Sequence, residues 1–269
     1  MTTLPTKPVE IIRGDSPLVL AMPHSGTFLP PGIMARLNAK GQLLADTDWH
    51  VHRLYDGLLP GATVVRALFH RYVIDANRPP SDESLYPGQN TTGLIPRTDF
   101  DGLPIWTHPP DAADTADRLL AFHTPYHAAL AAELARVRAR HGVAILYDCH
   151  SIRSRIPFLF DGILPDLNIG TAGGASCDPR LTGAVMAVAG RASGFSHVLD
   201  GRFKGGWTTR HYGRPGEGIH AIQMELAQST HLADEAPPFA YDEARAATLR
   251  PVLVEILAAL ARLAPELRG

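Results

Sequence analysis

Apolar residues gather along this chain in short runs set between longer stretches of helical spacing. Leu18–Met22, Val143–Tyr147 and Ile219–Leu226 are nearly unbroken. Runs of that length, closed by turn-forming or polar residues, predict strands buried on both faces of a parallel sheet. Ala62–Leu68 and Arg71–Asp75 read as two further strands joined by a tight turn, and Phe158–Phe160 as a shorter one. Helical patterns begin at Ile33 and run over about Asp48–Leu59, Asp114–His141, Asp178–Ala192 and Tyr241–Ala264. In the longest, Leu119, Leu120, His123, Leu130, Leu134 and Val137 share a face, and Pro125 predicts a kink or a second start capped by Thr124. Asp178 followed by Pro179 is a cap-and-first-turn signature. Strands alternating with helices predict an α/β fold in which helices layer a central sheet. Residues 76–110, rich in Pro, Gly, Asn and Asp, predict a long structured loop of functional use.

Composition narrows the picture without changing it. The chain has 269 residues, 45% hydrophobic and 19% charged, which supports one domain over residues 1–269 with a sizeable core. A net charge of -2 and no Lys/Arg block argue against nucleic acid or an anionic membrane as partner and favour a small-molecule substrate. Two cysteines are too few for a disulfide framework, and the N-terminal segment lacks the pattern of a signal peptide, so a cytoplasmic protein is expected. The stretch Val252–Leu263 is interrupted by Glu255 and Arg262 and is too short to span a bilayer.

The chemistry sits where the apolar runs stop. His24 follows Leu18–Met22, His150 follows Val143–Tyr147, and Glu225 lies at the end of Ile219–Leu226. In open α/β sheets ligands collect beyond the carboxyl ends of strands, so two imidazoles and a carboxylate stand at the edge where a site is expected. A single histidine is more often structural, but two at corresponding strand ends suit one metal ion, completed by Asp48 or Asp46 at a helix start. Glu225 suits a base acting on metal-bound water, or a buried salt bridge. Asn77-Arg78 offers an amide beside a guanidinium, fit for a carbonyl and a carboxylate, or simply for fixing a turn before Pro79. Residues 201–214 hold the densest cationic segment, with Lys204 and Arg210, and read as a glycine-rich loop that could close on an anion. Arg153 and Arg155 are further carboxylate-binding candidates. Cys149 reads as a small apolar filler, since no Gly-x-Ser-x-Gly elbow surrounds it or Ser151.

Taken together, Met22–Thr27, Asp46–His50, Val73–Pro79, Asp148–Ser154, Asp200–Pro215 and Gln223–Gln228 resemble the N-formylglutamate amidohydrolase family, in one order across about residues 15–232. The resemblance implies a three-layer α/β/α fold of the zinc carboxypeptidase and phosphorylase-hydrolase kind, with a mostly parallel mixed sheet. It also implies metal-dependent hydrolysis of N-formyl-L-glutamate in histidine degradation. On that model His24, Asp48 and His150 hold a divalent metal, zinc first, Glu225 is the general base, and Asn77 and Arg78 clamp the substrate. Arg153 and Arg210 are expected to meet its carboxylates. Thr27 stands where the wider carboxypeptidase pattern has a Glu, so the carboxylate ligand must come from elsewhere, with Asp48 preferred to Asp46. A deacylase acting on another N-acyl amino acid is the second reading, and a non-catalytic protein that binds an acidic small ligand is the third.

Overall fold

The computed structural model describes residues 7–267; Met1–Thr6, in the proline-punctuated N-terminal segment, and residues 268–269 lie outside it. The strands are β1 (Val9–Ile12), β2 (Leu18–Met22), β3 (Thr63–Ala67), β4 (Ala144–Ile152), β5 (Leu167–Gly170), β6 (His197–Leu199) and β7 (Ile219–Ala227). The helices are α1 (Pro31–Met34), α2 (Val51–Tyr55), α3 (Ala112–Arg118), α4 (Thr124–His141), α5 (Pro179–Arg191), α6 (Trp207–Tyr212) and α7 (Glu243–Leu263). Every residue of β2, β4 and β7 is buried, which is why these strands read as continuous apolar runs rather than alternating ones.

One seven-stranded sheet runs in the order β1-β3-β2-β4-β7-β5-β6. The pairs β3/β2, β2/β4, β4/β7 and β5/β6 are parallel, and β1/β3 and β5/β7 are antiparallel, so the sheet is mixed and mostly parallel as expected. Alternate side chains of the central strands face two cores. Leu18, Leu20, Ile145, Tyr147, Ile222 and Met224 pack with α2, α5 and α7. Val19, Ala21, Leu146 and Ala221 pack instead with Tyr126, Leu130, Leu134 and Val137 of α4. Helices thus cover both faces, and the architecture is the expected α/β one. Among the described residues, no helix is long and apolar enough to cross a membrane.

Several elements depart from expectation. Arg71–Asp75 is a turn rather than a strand, although all five side chains are buried. Its Val73 and Ile74 lie in the core while Asp75 N donates to Leu94 O at 2.7 Å, so burial without sheet pairing produced the apolar signal. Phe158–Phe160 is likewise a turn, closed by Leu159 N to Ile156 O at 2.8 Å. The fifth and sixth strands come instead from Leu167–Gly170, with polar Asn168, and from half-exposed His197–Leu199; neither run is apolar enough to signal itself. β1, a short and partly exposed edge strand, was also not read from the sequence. The helix expected over Asp48–Leu59 shrinks to α2, and neither Asp46 nor Asp48 caps it. Asp178 does cap α5, accepting from Arg180 N, with Pro179 in the first turn.

At Pro125 a helix does start, since α4 begins at Thr124 with the proline in its first turn, but Thr124 does not cap it. A π-helical turn, Leu119–His123, links α3 to α4, and the proline, which can donate no backbone hydrogen bond, stands in the first turn of α4. His123, the last residue of this turn, is buried.

Candidate active site

β4 and β7 run on past their apolar stretches, and their register pairs His150 with Glu225 across adjacent parallel strands. Neither residue lies beyond its strand; both are fixed within it. His24 lies just past β2, in a turn where the backbones pass so closely that a Cβ on Gly26 would fall 2.4 Å from the Leu68 carbonyl carbon. Asp48 arrives from the loop before α2, its backbone N–H donating to His24 O at 3.1 Å.

These elements bring His24, Asp48 and His150 together, with one donor atom from each lying within 4.8 Å of the others. Asp48 Oδ2 lies 3.0 Å from His150 Nδ1 and 3.8 Å from His24 Nδ1, and the two Nδ1 atoms are 3.2 Å apart. Ser151 N–H donates to the same carboxylate oxygen at 3.2 Å. His24 Nε2 meets the buried carboxylate of Asp75 at 2.6 Å, and His150 Nε2 lies 3.0 Å from the buried Asp148 Oδ1 and 3.2 Å from Asn77 Nδ2. Thr209 Oγ1 donates to Asp148 Oδ2 at 3.0 Å. Far-side carboxylates of this kind fix the ring and tautomer of a metal-binding histidine and raise its basicity. The donor set therefore suits a divalent cation, which would relieve the crowding of two imidazole nitrogens and a carboxylate.

Burial sets the proton affinities. Glu225, 7% exposed, is pushed up to about 8 by its removal from water, opposed by the charge of His150. Burial lowers His150, but Asp148 and Asp48 outweigh it and hold the imidazole well above its usual range. His24 is lowered by burial and by the neighbouring Arg71. In Asp75 burial raises proton affinity, yet His24 and Arg71 prevail and keep the carboxyl well below the usual range. Asp48 is also held low, His150 and the surrounding cations prevailing over burial.

The cavity above this floor is walled by irregular segments. Arg71, 6% exposed, pairs with Asp75 at 3.1 Å and lies 4.9 Å from the Phe100 ring centroid. Asn77 and Arg78 are fixed from behind by the start of α4. His123 Nε2 donates to Arg78 O at 3.0 Å, and His127 Nε2 to Ala76 O at 2.8 Å. Burial lowers both imidazoles, so each stays neutral and serves as a donor. Asn77 Oδ1 accepts from Thr208 N at 2.8 Å, and Gly206 is required beside it, since a Cβ there would fall 2.2 Å from Asn77 Nδ2. Tyr86, Arg202 and Phe203 complete the far wall.

A family model described as N-formylglutamate amidohydrolase matches residues 16–232, which contain the whole of this floor and its walls. The chain belongs to that family. An N-formylglutamate deformylase of Pseudomonas aeruginosa is 50% identical over 251 residues, covering 92% of this chain and 94% of that one. One from Pseudomonas putida is 48% identical over 257 residues, covering 94% and 96%. The crystal structure of an N-formylglutamate amidohydrolase from Ralstonia eutropha superposes with a TM-score of 0.78 at 27% identity, over 97% of this chain and 98% of that one. A gene product of Agrobacterium tumefaciens shares the fold at a TM-score of 0.73 and 20% identity, over 96% of each chain.

Within this family member the expected residues separate into two groups. His24, Asp48, His150, Glu225, Asn77 and Arg78 all line one cavity. Asp46 does not: its carboxylate accepts from Tyr72 Oη at 2.7 Å and Phe100 N at 3.0 Å, and burial pushes it up to about 6. Arg153 pairs with Asp101 at 3.0 Å, and exposed Arg210 donates to Gly205 O at 2.9 Å; neither is among the lining residues. The segment expected as a loop over 201–214 contains α6, and its cavity cation is Arg202. Sequence reasoning missed Arg71, Asp75, Asp148 and Arg202, and also Gln223, which lines the cavity, accepts from Gly206 N at 2.7 Å and donates to Glu225 at 3.2 Å. The signal for Arg71 and Asp75 was present, two opposite charges closing an apolar run, but it was spent on a strand assignment. Cys149 is a buried filler, 1% exposed, its thiol pushed up by burial.

Proposed function

We propose that this chain hydrolyses N-formyl-L-glutamate to formate and L-glutamate. The observation that carries the reading is the joining, in one cavity, of a His-Asp-His donor set, a buried glutamate and guanidinium groups without carboxylate partners. His24, Asp48 and His150 would hold a divalent ion, zinc being the first choice for nitrogen and carboxylate donors. When bound, such an ion polarises a carbonyl and acidifies water.

The rest of the chemistry belongs to the chain's own side chains. Glu225, which lines the cavity and is paired in register with His150, takes the proton of the attacking water and returns it to the leaving nitrogen. Arg71, rigidly paired with Asp75, faces the cavity and supplies positive charge to the developing oxyanion. Asn77 and Arg78 orient the amino-acid end, with Arg202 opposite. Arg78 spends its donors on Thr92 O, Asn77 O and Thr91 Oγ1, and Arg202 on Leu159 O and Asn90 O. Among the described ion pairs neither guanidinium meets a carboxylate, which leaves two cations for a dianionic substrate. The two cysteines are free and buried, in keeping with the cytoplasmic setting of a step in histidine degradation.

The test is formate release from N-formyl-L-glutamate, with metal content measured on the same preparation. Formate with about one divalent ion per chain supports the reading. Release only from acetyl or larger acyl derivatives moves it to another deacylase, and neither metal nor hydrolysis with any of them leaves a binding protein.

A further inference from the structure

Arg202 is a long side chain on a glycine-rich segment, and a guanidinium in such a place recognises an anion well only if it is held before the anion arrives. The structure holds it from several sides. Its Nε donates to Leu159 O at 2.9 Å and its Nη2 to Asn90 O at 3.0 Å. Its guanidinium carbon lies 5.3 Å from the Phe203 ring centroid and 5.6 Å from that of Tyr86. Tyr86 does more than stack. Its hydroxyl donates to Gly205 O at 2.9 Å and accepts from Lys204 N at 3.3 Å, tying the residue 80–92 segment to the backbone that follows Arg202. Arg210 also stacks on this ring, at 5.0 Å, and donates to the same Gly205 carbonyl. One tyrosine thus fastens two loops that both line the cavity.

We propose that Tyr86 is a positioning residue for substrate selectivity: its hydroxyl bond to Gly205 and its ring contact with Arg202 hold that guanidinium for the second carboxylate of a dicarboxylate substrate. The proposal rests on the reading of an N-formyl dicarboxylate substrate above. It makes selectivity depend on a residue that carries no charge. Losing the hydroxyl loosens the segment carrying Arg202, so a charged side-chain terminus loses more than a neutral one of the same shape.

The test compares kcat/KM for N-formyl-L-glutamate with that for isosteric N-formyl-L-glutamine, and reads their ratio. Arg202→Gln lowers the ratio by about 10–100-fold, the range expected for a charged hydrogen bond. Tyr86→Phe keeps the ring and lowers it by about 3–10-fold. Tyr86→Phe placed on Arg202→Gln lowers it no further, because the two act through one guanidinium. A ratio that Tyr86→Phe leaves at the wild-type value, with both substrates slowed alike, overturns the role of Tyr86 while the substrate reading stands. A ratio unmoved by Arg202→Gln overturns the assignment of that guanidinium. Wild-type protein that hydrolyses neither compound overturns the substrate reading itself, and the positioning role with it.

Discussion

The floor and the walls of the cavity are built by different means. His150 and Glu225 stand within neighbouring strands whose register pairs them, and His24 follows a third strand of the same sheet. Arg78, Tyr86 and Arg202 stand on segments without regular structure, Arg78 fixed by hydrogen bonds and the other two by hydrogen bonds and ring contacts. Reacting groups need placement to a fraction of an ångström, which a sheet buried on both faces supplies. Recognition groups need reach and the freedom to differ between relatives, which loops supply. The comparison predicts that damage to the floor removes turnover, while damage to the walls changes what is accepted.

The largest effect belongs to the donor set. His150→Ala should abolish divalent-ion binding as read by calorimetry, and formate release with it; retention of wild-type affinity would remove the donor set from the account. Next comes Glu225→Gln, which should cost about 10²–10⁴-fold in kcat with the metal site intact, by steady-state kinetics on metal-loaded protein. Asp75→Asn leaves the donors in place but loosens His24, and about 10–100-fold weaker metal binding is expected. An unchanged affinity would mean that the 2.6 Å contact does no orienting.

The smallest effect concerns stability. Burial holds His127 at about 3 and His231 at about 4, below the usual 6.5, so between pH 6.5 and 4 the unfolded chain takes up protons that the folded chain refuses. The stability that these two histidines contribute is therefore full above pH 6.5 and is lost as pH falls through that window. Asp46, pushed up from 3.8 to about 6 by burial, and Glu225, pushed up from 4.5 to about 8, act in the opposite sense across most of this window and offset the loss. The loss that His231 alone causes by pH 4 should be on the order of a few kcal/mol, read as the difference between wild type and His231→Gln in denaturant midpoints followed against pH. A His231→Gln variant whose midpoint falls on acidification as steeply as wild type would contradict it.

The same contrast governs what could be read from the chain alone. β2, β4 and β7 were legible because strands buried on both faces cannot avoid a continuous apolar run, and their terminal histidines and glutamate stood out against it. The walls were not, because Arg71, Asp75 and Arg202 acquire meaning only through partners distant in sequence. Arg71 resembles any charge ending a strand until the backbone turns at residues 71–73 and sets it beside His24. Arg202 was hidden among the cations of its segment; Arg210, more conspicuous in sequence, faces outward and supports the ring of Tyr86 instead. The choice of Asp48 over Asp46 needed the fold as well, since both flank Thr47 and only Asp48 reaches the histidines.

The measurement that bears most directly on this division is the separation of kcat from KM for N-formyl-L-glutamate in Glu225→Gln and Arg78→Gln, side by side. The account predicts that Glu225→Gln loses kcat at a KM close to wild type. It predicts that Arg78→Gln raises KM by about 10–100-fold with most of kcat retained. A fall in kcat alone for Arg78→Gln, or a rise in KM alone for Glu225→Gln, would contradict it.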